Sequence, residues 1–219
     1  HCLTVVDTAK LYFRGKQVKN LVESHLLCLM LETTSLVSQY CDYLRANGKA
    51  ASEDSYNKMI MILFNQKYEE LYDYRMRDQT QEGTATDQLQ NERQSVGHVD
   101  LWINHNSASM SVVEGIKITS INRANLIKHI GKIFGYSYIQ APAHFLVIYA
   151  DVNDIDKTWK RYNAFLKELK ASSELYWKIS KLIPREEIEL IQKNIRMEKY
   201  VCMTEHHYGD RYVNIYHIM

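Results

Sequence analysis

Two prolines and eight glycines in a chain of 219 residues are too few for a collagenous, linker-rich or disordered polypeptide. The four cysteines, Cys2, Cys28, Cys41 and Cys202, form no CxxC pair and no zinc-ligand spacing, which removes a disulfide framework and a structural zinc site from consideration. Cys28 and Cys41 sit in apolar helical contexts and read as small buried hydrophobes. The leucine-rich run at residues 26–31 is far too short to span a bilayer and is bracketed by Glu23 and Glu32. No Gly-rich phosphate loop is present, which argues against an ATPase or kinase, and there is no serine-nucleophile elbow. With no signal peptide visible, the expected compartment is the reducing cytoplasm and no membrane partner is expected. The chain begins at His1 rather than Met, and we expect it to be a fragment of a longer polypeptide.

What is present is material for a core. Hydrophobic residues make up 46% of the chain, and 16 Tyr against 5 Phe suit half-buried positions where a ring packs and its hydroxyl stays wet. The net charge of +1 hides an uneven distribution. Residues 1–114 carry 11 Lys/Arg against 15 Asp/Glu, whereas residues 115–200 carry 15 against 9. A basic stretch of this kind fits a phosphate backbone, and equally fits solvated helix faces rich in lysine.

Hydrophobic periodicity predicts a helix, or two shorter ones, over residues 17–46 and a second helix over 52–73. Ser52 is the expected N-cap of the second, with Glu53 and Asp54 in its first turn, and its apolar face uses Tyr56, Met59, Ile60, Leu63, Phe64 and Leu71. A short strand is expected at 74–80, then a polar stretch over 81–95. Residues 96–103 and 110–118 alternate or run apolar around a turn near 104–109, the pattern of an antiparallel hairpin. A helix is expected over Asn122–Phe134, stopped by Gly135, and His144–Ala150 reads as a buried central strand. Asp154 caps a further helix whose Trp159, Tyr162 and Phe165 are core residues rather than a stacking platform. A charged helix is expected after Pro184, and two strands close the chain around Tyr208-Gly209-Asp210. The expected class is α/β, a mixed sheet flanked by helices, with an N-terminal helical segment (1–51), a main domain (52–219) and a C-terminal hairpin.

Within this order the chemistry concentrates on the hairpin. Asp100 on one strand and Glu114 on the next can project from one sheet face, with Lys117 nearby. Two carboxylates suit a hard divalent ion that activates water and offsets transition-state charge, and a cation assists the nucleophile. His98, two residues before Asp100, shares its strand face, but a structural role is the more frequent one for such a residue. His206, His207 and His217 have no companions at zinc spacing and read as structural.

Gly97-His98-Val99-Asp100-Leu101-Trp102-Ile103 and Val112-Val113-Glu114-Gly115-Ile116-Lys117, followed by the helix from Asn122 and the strand His144–Ala150, resemble the PD-(D/E)xK (restriction-endonuclease-like) nuclease superfamily. More loosely, Asp78-Gln79-Thr80 and Val213–His217 are similar to stretches in nuclease effector domains of bacterial antiphage defence systems. The resemblance covers residues 52–219. It implies a restriction-endonuclease-like core and a metal-dependent endonuclease acting on DNA, with RNA as the other candidate. Mg²⁺, or Mn²⁺ in its place, would be held by Asp100 and Glu114, with Lys117 as the catalytic lysine. The candidates for the helix glutamate that some of these families add are Glu53 and Glu69; Glu53 is preferred, with Asn57 one turn on, and otherwise reads as a capping-turn acid. Gln79 could approach from the first strand, and Lys128, Lys132, Lys160 and Arg161 would contact the phosphate backbone. A homo-oligomer, or a place in a larger multi-domain assembly, is expected. The chain departs from the pattern in two respects: Val99 rather than proline precedes Asp100, and Glu114 and Lys117 are separated by two residues instead of one. Side chains alternate along a strand, so a β-bulge is needed to bring both to one face. The competing readings are a catalytically inactive nuclease-like module for nucleic-acid docking or oligomerisation, and a helical interaction protein whose acidic pair is accidental.

Overall fold

The computed structural model describes residues 21–41, 51–78, 100–106, 108–135, 143–188 and 200–219. In chain order these form α1 (Leu21–Tyr40), α2 (Glu53–Tyr72), β1 (Tyr74–Asp78), β2 (Leu101–His105), β3 (Ala108–Ile118), α3 (Arg123–Phe134), β4 (Ala143–Ala150), α4 (Ile155–Ala171), β5 (Lys178–Pro184), a 3-10 turn (Arg185–Glu187), β6 (Val201–Tyr208) and β7 (Arg211–Ile218). The strands make one seven-stranded mixed sheet in the order β1-β2-β3-β4-β7-β6-β5. The β3/β4 and β4/β7 pairs are parallel and the outer pairs are antiparallel. The class is therefore α/β, an open mixed sheet with helices on its faces and a β6–β7 hairpin at the C-terminal end. Among the described residues, no helix is long and apolar enough to cross a membrane.

Strand alternation divides the interior into two cores. Val113, Phe145, Val147, Tyr216 and Ile218 join Leu26–Leu31 of α1 and Ile60, Phe64 and Tyr68 of α2 in one. Ile116, Ile118, Leu146, Ile148 and Ile215 join Leu126, Ile130 and Ile133 of α3 and Tyr162, Phe165 and Leu166 of α4 in the other. The sheet thus has an α1/α2 face and an α3/α4 face, and a residue's parity on β3 decides which it meets.

Local signals hold the elements in place. Ser52 caps α2 through Oγ, which accepts from Ser55 N at 3.2 Å. Asn122 and Asp154 cap α3 and α4 in the same way. Asn65 clips β1 to α2, donating to Met76 O at 2.8 Å and accepting from Met76 N at 2.6 Å. Gly209, at φ 57°, makes the left-handed residue of the β6–β7 turn, where a Cβ is unfavourable.

Several expectations are corrected. Residues 178–184, unassigned in the sequence, form the edge strand β5. The charged helix expected after Pro184 begins, in its described part, as the 3-10 turn, and residues 189–199 lie outside the described residues. Leu71, assigned to the apolar face of α2, is 67% exposed. Leu26 to Leu31 of α1 are each at most 2% exposed, so α1 is enclosed on all sides there rather than along one stripe.

Candidate active site

The site grows out of a mismatch in strand length. β2 has 5 residues and β3 has 11, and their pairing ends at Leu101↔Val113. Beyond that point β3 stays paired with β4, from Val113↔Phe145 to Ile118↔Ala150, while its opposite edge leaves β2. Backbone N–H groups two residues apart point the same way along a strand. The N–H groups of Gly115 and Lys117 on that edge are each taken by a carboxylate. Asp100 Oδ2 accepts from Gly115 N at 2.7 Å, and Glu53 Oε2 accepts from Lys117 N at 2.8 Å. Two acids, one from the residue just before β2 and one from the capped first turn of α2, therefore replace the missing strand.

Glu114 is the third acid. Extending the β2/β3 register by one residue sets it across from Asp100, and its parity turns it to the α3/α4 face. Its side chain is wholly buried, and two residues one turn apart on α3 reach it. Lys132 Nζ donates to Glu114 Oε1 at 2.6 Å. His129 Nδ1 lies 2.8 Å from the same oxygen, an ion-pair distance, but off the line that a hydrogen bond needs. Among the described residues, Glu114 Oε2 is buried with no partner.

The electrostatics follow from this crowding. Burial, then the charge of Glu114, then that of Glu53 push the Asp100 carboxyl up to about 6, against the Gly115 N–H and Lys132, which act to lower it. For Lys132 burial is the largest influence and opposes its charge. The bond to Glu114 and the charges of Glu114, Asp100 and Glu53 together outweigh burial, leaving its pKa above the usual lysine value. Asn57, one turn after Glu53, accepts from Tyr149 Oη at 2.6 Å and lies over β3. A Cβ at position 115 would stand 2.3 Å from Asn57 Oδ1, so the close approach of α2 to β3 requires Gly115.

The structure places Asp100, Glu114 and Glu53 along one stretch of β3, and adds Lys132, expected from the sequence to touch phosphate. It does not bring Lys117 to Glu114. The β3/β4 register runs unbroken through residues 113–118, and the irregularity in β2/β3 lies at Ile103/Asn104, outside this stretch. The bulge that would have turned Lys117 is absent from residues 114–117, and its ammonium donates to Ala51 O at 3.0 Å on the other face. Lys128, Lys160 and Arg161 are exposed on α3 and α4, and Gln79 and His98 lie outside the described residues. His129 was missed, although it falls beside the Leu126–Ile130–Ile133 stripe of α3, the signal that could have placed it inward.

The donor set suits a hard cation. Carboxylate oxygens are what Mg²⁺ prefers, and among the described residues Glu114 Oε2 is a buried acceptor without a donor. Among the described residues, no three His, Cys, Asp or Glu side chains are gathered closely enough to form a ready-made ion cage. Asp100, Glu114 and Glu53 would therefore have to draw together around an ion. Comparison with known proteins gives no match, whether to a family model, a curated protein or a solved structure.

Proposed function

We propose that this chain is a metal-dependent phosphodiester hydrolase with a restriction-endonuclease-like core, acting on DNA as an endonuclease. The observation that carries the reading is the cluster at the β2/β3 fork. Acids from the first turn of α2, from the residue before β2 and from β3 surround one stretch of β3, and a partly buried lysine from α3 lies on the most buried of them. Asp100 and Glu114 would hold Mg²⁺ or Mn²⁺, with Glu53 as a third oxygen donor. When bound, the ion supplies a water acidic enough to attack and offsets charge on the phosphoryl oxygens.

The chain's own residues do the rest. The β3 amides of Gly115 and Lys117 each fix one oxygen of Asp100 and Glu53, which limits the freedom lost on reaching a productive geometry. Lys132 takes the role that the sequence assigned to Lys117. Its ammonium, kept charged by three acids, holds a water or a developing oxyanion beside Glu114. The excess of lysine and arginine in residues 115–200 supports a polyanionic substrate, with Lys128, Lys160 and Arg161 as exposed phosphate contacts. The resemblance to effector domains of antiphage systems supports a role in bacterial defence.

The test is plasmid cleavage with Mg²⁺ or Mn²⁺ by the wild type, Asp100→Ala and Glu114→Ala. Loss of cleavage in both variants is expected, and equal cleavage by all three proteins would sink the assignment. Complete burial of Glu114 favours a second reading, an inactive nuclease-like module that docks nucleic acid. Metal-independent DNA binding with no cleavage by the wild type would select it.

A further inference from the structure

Lys117, turned away from the acids, lines a cavity of about 270 Å³ on the α1/α2 face. The carboxyl ends of the parallel strands β3, β4 and β7 form its floor, with α1 and α2 above. Crevices at the carboxyl ends of parallel strands are where open α/β sheets take small ligands. The wall is mostly apolar, with Val37 and Ile60 among its residues. Tyr56 and Tyr149 add an aromatic side, their rings stacked at 4.7 Å with planes 19° apart. Among the described lining residues one cation and one anion stand side by side, Lys117 Nζ 3.6 Å from Asp151 Oδ2, and Lys117 also donates to Ala51 O at 3.0 Å.

That lining selects a ligand class. A hydrocarbon would make no use of these charges, a simple anion would face Asp151, and a simple cation would face Lys117. A flat heterocycle whose edge presents an acceptor beside a donor answers both, while its faces pack on tyrosine and aliphatic side chains. We propose that the cavity is a nucleobase-binding site, with Lys117 donating to a ring carbonyl or ring nitrogen and Asp151 accepting from the neighbouring N–H. The volume holds one base with part of its sugar. The site lies across β3 from Glu114 and is joined to the candidate active site through Lys117 N, which donates to Glu53 Oε2, and through Tyr149 Oη, which donates to Asn57.

The base could belong to a free nucleoside or to a strand of nucleic acid. Titration calorimetry in EDTA with inosine, uridine and adenosine, and separately with a short single-stranded oligonucleotide, distinguishes these sources. Saturable binding of one nucleoside per chain is expected, and competition by the oligonucleotide would assign the base to a strand. Asp151→Ala, at a partly exposed position, and Val37→Trp, which fills the cavity, should each weaken binding by about tenfold or more. Absence of nucleoside binding at millimolar concentration, or undiminished binding by both variants, overturns the proposal. The measurement needs neither metal nor cleavage, so its outcome is separable from that of the nuclease reading.

Discussion

Asp100→Asn should make this protein more stable at neutral pH, although it removes a residue placed at the centre of the site. In the folded chain the Asp100 carboxyl titrates at about 6, raised from 3.8 by burial and by Glu114. The folded state therefore binds this proton more tightly than the unfolded state. Below pH 3.8 both states are protonated and there is no penalty. Between 3.8 and about 6 the unfolded chain ionises first, and stability falls as pH rises. Above that range the whole penalty is present. At about 1.4 kcal/mol per pH unit it amounts to about 3 kcal/mol, an upper figure for a partly buried group. Asparagine keeps an oxygen to accept from Gly115 N and carries no charge, so the variant should escape most of the cost. For a chain of this length that corresponds to a midpoint rise of roughly 6–12 °C. Thermal melts of both proteins at pH 4 and pH 8, in EDTA, measure it. The difference should be small at pH 4 and large at pH 8, and saturating Mg²⁺ should stabilise the wild type but not the variant. A variant that is destabilised at pH 8, or that differs equally at both pH values, would refute the reasoning.

Three further perturbations test neighbouring parts of the structure. Lys132→Met leaves Glu114 buried without its cation and should cost about 3–5 kcal/mol; adding Glu114→Gln should return most of it, which a double-mutant cycle in urea would measure. Gly115→Ala sets a methyl against Asn57 and should cost about 1–3 kcal/mol by overpacking, read as a lower denaturation midpoint; an unchanged midpoint would mean that Asn57 moves freely. The third concerns a buried chain in which Tyr162 Oη, His217, Thr204 Oγ1, His206 and the Trp177 carbonyl are linked at 2.7–3.1 Å. The carbonyl only accepts, so each neutral histidine has one possible tautomer, and every donor runs from Tyr162 towards Trp177. Thr204→Val breaks the chain in the middle and should cost about 2–4 kcal/mol. Burial holds His206 at about 4 and His217 at about 3. Both therefore stay neutral in the fold while the unfolded chain gains protons below about 6.5, so stability should fall from pH 6.5 towards 4. That trend opposes the one from Asp100 and should emerge more steeply in Asp100→Asn.

What could be read in the sequence was local. Ser52 and Asp154 announced their helices because a capping side chain needs only the next turn. The hairpin carrying Asp100 and Glu114 followed from alternation around a turn, and so did the doubt over Lys117, since parity on a strand is arithmetic. The strand β5 stayed hidden because it is an edge. It carries Lys178 and Lys181, has a register shift at Ile179/Lys181 and ends on Pro184, features that protect an edge and also obscure its pattern. Lys132 was legible as a helix lysine, but not as the partner of Glu114. That pairing depends on how α3 lies across β3, which no spacing along the chain encodes. Asn57 over Gly115 is of the same kind, a contact between residues 58 positions apart.

The central claim is that the carboxylates at the β2/β3 fork work with Lys132 rather than with Lys117. Its most direct test is plasmid cleavage in Mg²⁺ or Mn²⁺ by Lys132→Met and Lys117→Met beside the wild type, all shown to be folded at the assay temperature. A cleaving wild type, a loss of about a hundredfold or more in Lys132→Met and a much smaller loss in Lys117→Met are the predicted results. The reverse order, with Lys117→Met inactive and Lys132→Met cleaving like the wild type, would contradict the account.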